Sequence, residues 1–97
     1  MSDKLKMIKT DAVYKAIELE NYEKVEKMIV PSLAVAGHLK YAVEKQVSMD
    51  IIELLVENLV PNADEDVLEE TMEIAVARGE YDEIRCVKQA LAIAGHI

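Results

Sequence analysis

The chain has 97 residues, 52% of them apolar, with four Tyr, three Gly, two Pro and neither Trp nor Phe. That length fits one domain over residues 1–97, the composition is too apolar for a disordered chain, and the core must be built from Leu, Ile, Val, Ala and Met. The net charge of −8 is uneven: residues 1–45 carry eight Lys against seven acids (+1), and residues 46–97 carry three basic residues against twelve acids (−9), which repels phosphate, excludes direct nucleic-acid binding and favours a protein partner with a basic surface.

Apolar residues follow helical spacing along nearly the whole chain. "KLKMIK", holding Met7 and Ile8, reads as a capping turn or a short amphipathic arm. Thr10 is placed to cap a first helix running to about Leu19, with Val13, Ala16 and Ile17 on one face. Asn21 caps a second, with Tyr22, Val25, Met28 and Ile29 inward, and Pro31 ends it because the residue before proline avoids helical geometry. Ser32 caps a third helix from Leu33 to about Lys45, weakened by Gly37. Ser48 opens a fourth, with Asp50 in its first turn and Pro61 closing it. "NADE" at 62–65 has the form of a capping pair for a fifth helix reaching Arg78. Gly79 then stands where a left-handed helix end favours glycine, and a sixth helix runs from Tyr81 to about Ala92.

The fold expected is all-α, with six short helices. Turns of one to four residues make neighbours antiparallel, so the helices form three hairpins. Placed on their alanines, the hairpins read "VYKAIELENYEKVEKMI", "LKYAVEKQVSMDIIELL" and "MEIAVARGEYDEIRCV". Ala16, Ala42 and Ala75 each follow an apolar residue three positions earlier: Val13, Leu39 and Met72. Each copy resumes after its turn with Tyr22, Met49 or Tyr81, then Val25, Ile52 or Ile84, and the second copy needs one extra turn residue. Glu20 and Gln46 occupy the places equivalent to Gly79. A small residue in mid-helix permits close approach, and stacking the hairpins buries apolar faces that none can bury alone.

At these residues the chain resembles the ankyrin-repeat family. "EIAVARGEYDEIRCV" is similar to that family's small apolar pair, glycine turn and second helix, and Ala42 and Ala75 lie 33 residues apart, the family's period. The resemblance covers Asp11 to Leu91. The family's Thr-Pro-Leu-His start is absent: the matching places read "GHLK" at 37–40 and "TMEI" at 71–74. The first spacing, Ala16 to Ala42, is 26 residues, which leaves little room for a projecting loop. A compact six-helix bundle is the alternative architecture. In ankyrin-like proteins the partner meets the end of each first helix and the turn before it. The resemblance therefore implies contacts at Glu18, Leu19, Glu44, Lys45, Ala77 and Arg78, with Gly37, His38, Glu69 and Glu70 in the preceding turns.

Chemistry-bearing patterns are sparse. His38, His96 and Cys86 do not share a metal-binding spacing, and Gly37, Gly79 and Gly95 are too scattered for a phosphate loop. "DEDVLEE" at 64–70 lacks the alternating ligands and central glycine of a calcium loop. No catalytic residue, metal or cofactor is implied. Cys86 falls at an apolar position, as a buried thiol does. The charged opening "MSDKLKMIKTD" is unlike a signal peptide, and Pro31 breaks the uncharged stretch that begins at Met28, so a cytoplasmic chain with no membrane span is expected. The function read from these features is a small non-catalytic adaptor or inhibitor that binds a partner protein. The alternative is an acidic decoy that occupies a nucleic-acid-binding groove, as small phage and mobile-element proteins do. The uncharged "ALAIAGHI" offers Ala90, Leu91, Ile93, Ala94 and Ile97 either to a second copy, as a homodimer, or to closure of the last hairpin.

Overall fold

The computed structural model describes residues 12–96; Thr10, the Met7 and Ile8 arm and Ile97 lie outside the described residues. The described residues form six helices: α1 over 12–18, α2 Tyr22–Ser32, α3 Ala36–Lys45, α4 Met49–Glu57, α5 Glu65–Arg78 and α6 Tyr81–Ile93. The all-α fold expected from the periodicity is the fold observed.

At two helix starts, those of α2 and α5, a capping side chain satisfies an unpaired amide. Asn21 Oδ1 accepts from Lys24 N at 3.3 Å and opens α2. For α5 the capping oxygen is Asp64 Oδ1, which accepts from Val67 N at 3.3 Å; the expected Asn62 cap is displaced by two residues, because Asp64 adjoins the first helical residue. Ser48 stands at the start of α4 but its hydroxyl makes no capping bond. Its amide instead donates to Glu20 Oε1 at 2.8 Å, so a carboxylate from the first hairpin braces the second.

The α2–α3 junction departs from the expected one. Pro31 lies inside the last turn of α2, and the helix ends only at Ser32. Proline there forfeits one bond to the carbonyl of exposed Lys27, which water can satisfy. Ser32 does not cap α3; its hydroxyl donates back to Met28 O at 2.5 Å. Leu33, at φ 67°, then turns the chain into an extended step. Ala34 N donates to Asn58 O at 2.7 Å, and Val60 N donates to Ala34 O at 2.9 Å. This parallel bridge ties the α2–α3 connection to the α4–α5 connection and delays the start of α3 from Leu33 to Ala36.

Packing is a stack of hairpins in two layers. Helix α3 lies on α5, and α4 lies on α6 and on α2. Tyr14 of α1 meets His38 and Tyr41 of α3 with ring centroids 5.3 and 4.9 Å apart. First helices thus form one layer and second helices the other. The repeat explains the spacing: Ala16, Ala42 and Ala75 are all buried. Four residues beyond each alanine the backbone is left-handed, with φ of 53° at Glu20, 56° at Gln46 and 69° at Gly79. The second turn carries two residues, Val47 and Ser48, before its next helix, whereas the first and third carry one.

The core is aliphatic, centred on Ile17, Val25, Ile29, Leu39, Val43, Ile51, Ile52, Leu55, Leu68 and Val87. Tyr22 was expected inward but is 40% exposed, and its counterpart Tyr81 is 86% exposed. Both are the first residues of their helices: Tyr22 lies beside Asp50, Glu53 and Glu57 of α4, and Tyr81 lies beside Ile84, Arg85 and Lys88 of its own helix, so neither enters the core. Cys86 is buried, and burial pushes its thiol above the usual range. The C-terminal segment closes on its own hairpin: Ala90 and Ala94 are buried, and His96 Nε2 lies 2.9 Å from Ala63 O, with Nδ1 3.2 Å from Glu65 Oε2.

Candidate functional site

The layer of first helices carries an open hollow of about 540 Å³ lined by Tyr14, Gly37, Lys40, Tyr41, Glu44 and Val67. Its floor exists because Gly37 has no side chain. A Cβ at that position would stand 3.0 Å from Tyr14 Oη, so glycine lets the Tyr14 ring cross α3 closely. Tyr41 stands beside it at an interplanar angle of 74°, the edge-on arrangement aromatic rings prefer. Lys45 Nζ lies 5.5 Å from the Tyr41 ring centroid, within cation–π reach. Lys40 Nζ bonds to Glu70 Oε2 at 2.6 Å, spanning α3 and α5 at the rim. That hydrogen bond holds the Lys40 ammonium above the usual lysine range.

The residues singled out by the family resemblance divide into two groups. Glu18, Leu19, Glu44, Lys45, Glu69, Glu70 and Ala77 are exposed; Leu19, at 65% exposure, is an apolar side chain in solvent at the end of α1. Gly37 and Glu44 line the hollow, and Glu70 and Lys45 bound it through Lys40 and Tyr41. His38 and Arg78, by contrast, are engaged within the stack. Val35 N donates to His38 Nδ1 at 3.1 Å while His38 N donates to Val35 O at 3.0 Å, so His38 caps α3. An accepting Nδ1 requires the neutral ring, and burial lowers the His38 pKa accordingly. The Arg78 guanidinium donates to Val43 O, and to Glu44 O at 2.7 Å, satisfying the last carbonyls of α3 from the last turn of α5. Its Nη1 also lies 3.9 Å from Glu83 Oε1 on α6.

Tyr14, Tyr41 and Val67 were not singled out as contact residues. Tyr14 and Tyr41, both half-buried, stand two and one positions before the repeat alanines Ala16 and Ala42, and Tyr41 packs against the edge of the core. The buried carboxylate of Glu83 left no trace in the sequence, since "EYDEIR" reads as a solvated first turn.

Charge is graded across this face. Helix α3 presents Lys40, Glu44 and Lys45, whereas α5 presents Asp66, Glu69, Glu70 and Glu73, all exposed acids. Among the described residues, no group of three or more His, Cys, Asp or Glu side chains is placed to hold a metal ion. No helix of the described residues is long and apolar enough to cross a membrane. The hollow is thus an aromatic-walled surface beside a carboxylate row, an arrangement suited to binding another chain. No known family model, curated protein or solved structure matches this chain.

Proposed function

We propose that this chain is a small non-catalytic binding module, an ankyrin-like adaptor or inhibitor that meets a partner protein on its layer of first helices. The observation that carries the reading is the hollow walled by Tyr14, Tyr41 and Val67 over the Gly37 floor. Aromatic side chains around a depression are the usual anchors of protein interfaces. The exposed acids of α5 lie along its edge, so the partner presents Lys or Arg there.

The test is affinity capture from the native host with wild-type and Tyr41→Ala baits, at low and at moderate salt. A protein retained by the wild type at both salts and lost with Tyr41→Ala is the expected result. Equal capture by both baits would remove the hollow from the interface. The acidic row also supports the second reading, a nucleic-acid-mimicking inhibitor. That reading predicts capture of nucleic-acid-binding proteins that collapses at moderate salt whatever the state of Tyr41.

A further inference from the structure

The three hairpin turns follow one another along one edge of the stack. At the first junction Glu20 crosses to the next turn and accepts from Ser48 N at 2.8 Å. At the second junction the equivalent residue is Gln46, and no side-chain hydrogen bond from it is found among the described residues. The turns there stand apart around a cleft of about 390 Å³, bounded by Gln46, Ser48 and Met49 on one side and Glu80, Asp82 and Glu83 on the other.

Glu83 is the unusual wall. The residue is 5% exposed, and its buried Oε1 has no hydrogen-bond partner. The Arg78 guanidinium stands 3.9 Å away, beyond hydrogen-bond range, and is committed to the carbonyls of α3. Asp82 is already paired with Arg85 Nη2 at 3.5 Å. A carboxylate withdrawn from water without a donor is costly, and such groups are normally satisfied.

We infer that this cleft takes the ammonium of a lysine side chain presented by the partner protein. The inference rests on the proposed binding function and names a second contact for the same partner. An ammonium supplies three donors on a slender stem, enough to serve Glu83 and Glu80 together. Val47 and Met49 give its methylenes an apolar wall. A metal ion is a poorer fit, because these carboxylates do not converge as a ligand set.

The experiment is an amide NMR titration of the full chain with tetralysine. Shifts concentrated at Gln46–Met49 and Glu80–Glu83 are expected, with affinity falling at least fivefold in Glu83→Gln. The second variant, Gln46→Lys, places an ammonium in the cleft from within the chain and is expected to abolish those shifts. It also decides the matter if Glu83→Gln fails to fold. Shifts spread along Asp66, Glu69 and Glu73, no shifts, or shifts that survive either variant unchanged would overturn the inference. The cleft lies on the turn edge rather than over Tyr41, so failure here and failure of the capture experiment are separate results.

Discussion

Glycine and glutamine occupy equivalent turns of the stack, and exchanging their properties has a calculable cost. Gly79 has φ 69° and ψ 24°, and a Cβ built there meets no atom within 4 Å. Gly79→Ala therefore changes neither packing nor contacts. Its cost is the left-handed strain of an L residue, about 1–2 kcal/mol, less about 0.5–1 kcal/mol from the lower entropy of the unfolded chain. The expected loss is about 0.5–1 kcal/mol, or roughly 2–8 °C in melting temperature for a domain of this size. Gln46 has φ 56° and ψ 42°, so Gln46→Gly inverts the same terms and stabilises by about 0.5–1 kcal/mol. Urea unfolding followed by helical circular dichroism measures both. A neutral Gly79→Ala, or a destabilising Gln46→Gly, would refute the claim that these turns share one strained geometry.

Three further outcomes are expected. Arg78→Met strips the carbonyls of α3 and leaves Glu83 without its neighbouring cation. With Arg78 partly exposed, the loss should be about 2–3 kcal/mol by urea unfolding, partly recovered by adding Glu83→Gln. Burial lowers the His38 pKa in the fold, so its contribution is complete above the ordinary histidine range and is lost as pH falls from that range through the lowered pKa; His38→Gln should flatten that segment of the stability profile. Burial raises the Glu83 pKa, opposed by Arg78 and reinforced by Glu80. The native state therefore holds that proton more tightly, and stability falls as pH rises from the ordinary carboxylate range through the raised pKa. Wild type and Glu83→Gln should diverge in that window and run parallel above it.

Much of the architecture was legible because its determinants are local. The spacing of Ala16, Ala42 and Ala75 located the hairpins, all three alanines are buried, and the turn residue follows each by four positions. The departures come from tertiary partners that local rules do not see. Pro31 is accommodated in the last turn of α2, where the bond it forfeits falls on exposed Lys27, and the chain at Ala34 is extended where Asn58 and Val60 pair with it. Arg78 looked like a surface residue, yet its bonds run to carbonyls thirty-four and thirty-five positions earlier in the chain; the His38 bond to the Val35 amide is by contrast local, a helix-start contact three residues away. Glu83 is buried between Arg78 of α5 and the cleft beside the α3–α4 turn, surroundings that no pattern within "EYDEIR" encodes.

Hydrogen exchange of the chain with and without its captured partner tests the binding account most directly. Protection is expected along α3 and α5, centred on residues 37–45 and 66–77, with α2 and the Asp50–Glu57 face of α4 unchanged. Protection confined to the second-helix layer, with α3 and α5 exchanging as in the free chain, would contradict it.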